Sequence, residues 1–104
     1  MGNKMKYNKL VRDGIPEYIQ KKGGEPIFHV ADDAEYWTKL KEKLGEEAAE
    51  FAKDDTAEEL ADLFEVLDAI IEYGGFDRKE IERLKEKKAG ERGHFKKRII
   101  LDES

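Results

Sequence analysis

No cysteine occurs in the 104 residues, which excludes disulfides and thiolate-held zinc and fits a cytoplasmic protein. Histidine is almost missing too: with only His29 and His94, a zinc centre built on imidazole is disfavoured. No apolar run approaches the length of a membrane span, and the opening Met1–Lys6 lacks the apolar stretch of a signal peptide, so no membrane partner is expected. Positive charge is not in excess. The 20 Lys and Arg against 25 Asp and Glu leave a net charge of −5, which argues against a nucleic acid polymer as partner. A small polyanion remains accessible if a divalent cation mediates the contact. There is no internal repeat, low-complexity tract or linker, so the chain reads as a single domain, 1–104, with a small core.

What is present is charge and helical periodicity. Charged residues make up 43% and apolar ones 38%, and the apolar ones recur at spacings of three and four, as in solvated amphipathic helices. The expected fold is all-α: a helical hairpin core of about four helices with two short strand-like segments. Asp13 caps a first short helix with Pro16 in its first turn, and Gly23-Gly24 stops it near Lys22. Pro26–Val30 is strand-like. Asp32 or Asp33 starts a long second helix reaching about Lys53, with Trp37, Leu40, Leu44, Ala48 and Phe51 as its core stripe. After a turn at Asp54-Asp55, Thr56 and Glu59 form a capping box for a third helix ending at Gly74-Gly75. Asp77 opens a fourth helix with a sparse apolar face, Ile81 and Leu84, broken at Gly90 and Gly93. Ile99–Leu101 is the second strand-like piece, a candidate partner for Ile27–Val30.

The short link between the second and third helices dictates an antiparallel hairpin. Glu46, Glu47 and Glu50 then lie near Glu59 and Asp62, since both segments flank one turn. At about 100° per residue, Glu47 falls beside the Leu40/Leu44/Phe51 stripe, Glu50 at its flank, and Glu46 on the opposite side. On the third helix the apolar arc is Leu60, Leu63, Phe64, Leu67, Ile70 and Ile71; Glu59 borders it, and Asp62 lies next to Val66, Ala69 and Tyr73. Carboxylates clustered at the edge of apolar surface repel one another and are costly to desolvate, so a cation should compensate. Mg²⁺ suits an all-oxygen set, and Mn²⁺ would substitute. The competing reading is an ordinary solvated face, with Lys43 and Lys53 as partners for Glu47 and Glu50.

Glu46-Glu47-Ala48-Ala49-Glu50 followed by Glu59-Leu60-Ala61-Asp62 resembles the EExxE…ExxD signature of the MazG-like all-α nucleoside triphosphate pyrophosphohydrolases. The opening Asn8–Glu17 and the tail Lys88–Phe95 are similar to flanking segments of the short, stand-alone, phosphoribosyl-ATP pyrophosphohydrolase-like members, so the resemblance covers nearly the whole chain. It implies that Glu47, Glu50, Glu59 and Asp62 hold Mg²⁺ and carry catalysis. It also implies cleavage of a nucleotide's α–β phosphoanhydride to a monophosphate and pyrophosphate, a house-cleaning hydrolysis.

Charge developing on a polyphosphate calls for cations. Those at hand are Lys9, Arg12, Lys88, Arg92 and Arg98, with Arg12 and Arg92 best suited to grip phosphate in two-point fashion; surface solubility is the plain alternative. Trp37 reads as core more than as a base-stacking platform, and Gly45 with Ala48 and Ala49 as a place where helices approach closely. The third helix is apolar over more than half its circumference, which predicts a homodimer or homotetramer built on helix packing, as the resemblance also implies. A non-enzymatic acidic interaction module, and an enzyme restricted to phosphoribosyl-ATP, stand as alternatives.

Overall fold

The computed structural model describes residues 6–104; the expectation of no signal peptide rests largely on residues before Lys6 and lies outside them. Among the described residues the structure is all-helical, with four helices: α1 (Ile15–Lys21), α2 (Asp33–Lys53), α3 (Ala57–Gly74) and α4 (Arg78–Arg92). The chain divides into two compact units, Met1–Ile70 and Ile71–Ser104, with the boundary inside α3. No helix among the described residues is long and apolar enough to cross a membrane.

The first unit holds α1, α2 and most of α3. Residue 14, not residue 13, occupies the N-cap of α1: Gly14 has no side chain to offer, and Pro16 fills a first-turn position where a missing N–H costs nothing. The end of α1 is closed by two bonds, Gly23 N–H to Gln20 O at 3.0 Å and Gly24 N–H to Ile19 O at 2.9 Å, with Gly23 at φ +89°. At Gly24 the requirement is steric, because a Cβ there would meet the Ile19 side chain at 2.6 Å.

Asp32 caps α2 as its sequence position suggests, its side chain accepting from Glu35 N–H at 2.9 Å. Leu40, at 1% exposure, is the centre of the first unit's core, flanked by half-buried Trp37, Leu44 and Phe51. Ala48 is exposed, and a Cβ at Gly45 would meet nothing within 4 Å, so Gly45 serves no close approach of the kind its neighbours suggested. Thr56 caps α3, its Oγ1 accepting from Glu59 N–H at 3.3 Å.

The apolar arc read for α3 is inward only in part: Leu63, Leu67, Ile70 and Ile71 are half-buried, whereas Leu60 and Phe64 are exposed. Val66 is buried at 8% exposure, whereas Phe64 remains 62% exposed. Asp62 lies one turn from Val66 and is half-buried, so the inward face of α3 is the Asp62/Val66 side. The smaller β-branched residue is thus buried and the large aromatic is left outside.

In the second unit Asp77 caps α4, accepting from Lys79 N–H at 2.9 Å. Gly90 does not break this helix; it is inside it, and Gly93, at φ +85°, ends it. Neither strand-like segment forms a strand among the described residues. Ile27, Phe28 and Val30 are 84%, 62% and 91% exposed, and Ile99, Ile100 and Leu101 are 77–80% exposed. Apolar composition gives a strand only when a ladder partner takes up the backbone N–H and C=O groups, and none does so here.

Candidate metal centre

The site is built at the turn of the α2–α3 hairpin. α2 ends at Lys53 and α3 starts at Ala57, so the last turns of one helix face the first turn of the other. Glu47, Glu59 and Asp62 converge there: one carboxylate oxygen from each lies within 4.8 Å of the others. Glu47 is the deepest, with the residue 9% exposed, and Glu59 and Asp62 are half-buried. Two oxygens on opposite sides of a Mg²⁺ ion stand about 4.2 Å apart, and about 5 Å apart on Ca²⁺. Oxygens within that reach are a set that a hard divalent cation could bridge.

Glu50 is exposed and lies outside this three-residue group, although spacing places it with the others. Its charge is nevertheless felt. Desolvation first, then repulsion from Glu50, Asp62 and Glu47, raises the Glu59 carboxyl above its ordinary value. Loss of hydration and neighbouring like charge thus both disfavour ionised Glu59.

Two side chains supply part of that charge. Lys43, one turn earlier on α2 and only 18% exposed at its side chain, places Nζ 3.3 Å from Glu47 Oε1, the partnership expected of a plain ion pair. Arg12 reaches across from the segment before α1, its Nη2 2.9 Å from Asp62 Oδ1. Of the two first-unit cations proposed for phosphate, Lys9 and Arg12, it is Arg12 that is set directly against the carboxylate group. Lys9 goes to Glu46 instead, at 3.0 Å. Glu46 is therefore not on a wet far side. Burial disfavours its charge, but the Lys9 hydrogen bond and the Lys43 charge outweigh that and hold its carboxyl below the usual range. The same hydrogen bond raises the Lys9 ammonium.

Lys88, Arg92 and Arg98 belong to the second unit, where Lys88 and Arg92 are exposed on α4 and Arg98 follows it at φ +60°. Trp37 is half-buried with the Lys41 ammonium 5.5 Å from its ring centre, an arrangement of α2's own surface. Periodicity carried no signal for the Glu46–Lys9 bond, nor for Lys39 Nζ donating to Asn8 O at 2.9 Å. Both depend on where an irregular segment crosses the hairpin, and helical phase says nothing of that.

An all-oxygen, three-carboxylate group with a nearly buried member can take a divalent cation and present it to a phosphate. No family model matches the chain, and no solved structure matches it. A protein of Mycolicibacterium smegmatis, described only as uncharacterized, is 48% identical over 48 residues, or 46% of this chain and 49% of that protein. The matched stretch thus spans about half the length of that relative.

Proposed function

We propose that the chain is a Mg²⁺-dependent nucleotide pyrophosphohydrolase of MazG-like type, cleaving an α–β phosphoanhydride to a monophosphate and pyrophosphate in the cytoplasm. The observation that carries this reading is the convergence of Glu47, Glu59 and Asp62 within 4.8 Å at the hairpin turn. The resemblance of the Glu46–Glu50 and Glu59–Asp62 segments to that family supplies the reaction.

Glu47, Glu59 and Asp62 would hold the ion, with Glu50 swinging in from the exposed flank of α2. A divalent ion there would polarise phosphate oxygens and lower the pKa of a bound water. The chain's own contribution is positioning and charge. Lys43 stays on Glu47 and limits the repulsion that Glu47 adds to the group. Arg12 stands beside Asp62, where a guanidinium can meet phosphate in two-point fashion. A proton-accepting role for Glu46 is disfavoured, since Lys9 and Lys43 hold it ionised and occupied.

A panel of nucleotides, phosphoribosyl-ATP included, assayed for pyrophosphate release with and without Mg²⁺ tests the reading. Metal-dependent release from at least one nucleotide is expected. Uniform inactivity, with metal binding intact, would favour a non-enzymatic acidic module. The exposed Phe64 and Leu60 on α3 suit burial against a second copy, so the working form is taken to be a homodimer or homotetramer.

A further inference from the structure

The segment Tyr7–Arg12 is irregular, yet it is tied to the hairpin at three points. Lys39 Nζ holds Asn8 O at 2.9 Å, with Asn8 itself at φ +46°; Lys9 Nζ holds Glu46 Oε1 at 3.0 Å; Arg12 Nη2 holds Asp62 Oδ1 at 2.9 Å. It acts as a strap, and its last contact falls on one of the three clustered carboxylates. The two cations at the cluster differ in kind. The Lys43–Glu47 pair is nearly buried, 18% and 11% exposed, and both partners sit on one helix at i,i+4. The Arg12–Asp62 pair is 58% and 44% exposed and joins α3 to the strap. Exposed pairs of this sort are weak and exchange readily with ions from solvent.

We propose that Arg12 is a displaceable counter-cation: it occupies Asp62 when no divalent ion is present, yields it when one binds, and then serves the anionic ligand on that ion. The inference rests on reading Glu47, Glu59 and Asp62 as a divalent-cation site. Asp62 has a second oxygen, but that does not remove the competition. A full positive charge 2.9 Å from Oδ1 repels any cation approaching Oδ2 of the same carboxylate. Once ion and Asp62 are joined, the guanidinium loses its partner, and a phosphate on the ion is the strongest acceptor it can meet. The strap's other two ties do not involve the clustered carboxylates, so it stays in place while Arg12 changes partner.

Competition gives a result of opposite sign in two titrations. Arg12→Ala should tighten binding of Mn²⁺ alone, read from the free-ion electron paramagnetic resonance signal, by roughly two- to fivefold, as loss of one exposed ion pair allows. The same variant should bind pyrophosphate more weakly than wild type once the protein is saturated with Mn²⁺. Lys53→Ala, removing a charge from the end of α2, should leave the Mn²⁺ titration close to wild type. Arg12→Lys, which retains charge and local fold, should leave Mn²⁺ affinity near wild type and still weaken pyrophosphate. Loss of affinity for Mn²⁺ in Arg12→Ala would mean that Arg12 only orients Asp62, and an unchanged Mn²⁺ affinity would mean that it does not compete; either overturns the proposal while leaving the site intact. Unaltered pyrophosphate affinity in both Arg12 variants would overturn it as well. Absence of Mn²⁺ binding in the wild type would remove the site and the proposal together.

Discussion

At Glu59, desolvation and the neighbouring carboxylates act in the same direction. Its carboxyl is raised by desolvation and by the charges of Glu50, Asp62 and Glu47, so the folded chain binds that proton more readily than the unfolded chain does. Ionised Glu59 disfavours the folded state at neutral pH, and the penalty fades as pH falls through the raised folded value toward the ordinary carboxylate value. Glu59→Gln should therefore raise the apo melting temperature at pH 7, and the gain should shrink as pH approaches about 4.3, the ordinary Glu value. In saturating Mg²⁺ the order should reverse, because the wild type keeps a ligand that the variant lacks. Thermal melts at three pH values, with and without the ion, check both signs. A variant less stable than wild type in the apo form at pH 7 would contradict the crowding.

At the scale of elements, sequence was most informative where chemistry is local. Asp32, Thr56 and Asp77 cap their helices because a short oxygen-bearing side chain before a helical run reaches a free N–H two or three residues on. The Glu47–Glu59–Asp62 convergence was legible for the same reason, as a tight turn between two long helices leaves little freedom. Where context decides, sequence was silent or misleading. Val66 is inside and Phe64 outside, and no hydrophobicity count ranks a Val above a Phe. Gly90 stays helical, and Ile99–Leu101 lacks a ladder among the described residues.

The glycines lead to a quantitative expectation for these elements. A Cβ at Gly45 or Gly90 would meet nothing within 4 Å, and neither residue has a positive φ. Gly45→Ala should stabilise the chain by about 1 kcal/mol, the helix-propensity difference. For a chain of this size that corresponds to a rise of roughly 4–8 °C in melting temperature. Metal affinity should be unaffected. A neutral or lowered melting temperature would indicate that a second copy packs against that face of α2.

For the whole molecule, burial is sparse: Leu40 and Val66 are the buried hydrophobic residues among those described, and Phe64, Phe76 and Tyr73 are 62%, 54% and 40% exposed. Large apolar side chains left exposed favour association, each buried one contributing about 1.5–3 kcal/mol. Light scattering at tens of micromolar, on the order of a modest interface's dissociation constant, should report at least twice the chain mass. Phe64→Glu should shift that species toward monomer while retaining helicity. A monomeric wild type would remove assembly from the account without touching the carboxylate group.

The central claim is that Glu47, Glu59 and Asp62 form one divalent-cation site, and neighbouring glutamates on α2 give the most direct test. Glu47 is nearly buried within the group, whereas Glu46, next to it in sequence, is held by Lys9 and Lys43 outside it. Titration calorimetry with Mg²⁺ or Mn²⁺ on wild type, Glu47→Ala and Glu46→Ala measures the difference. Glu47→Ala should weaken the ion by about 100-fold or more, beyond the 10- to 100-fold typical of losing a mere supporting group. Glu46→Ala should keep affinity within a few-fold of wild type, order of magnitude for loss of an exposed pair. Equal affinities in all three proteins, or loss in Glu46→Ala with retention in Glu47→Ala, would contradict the account.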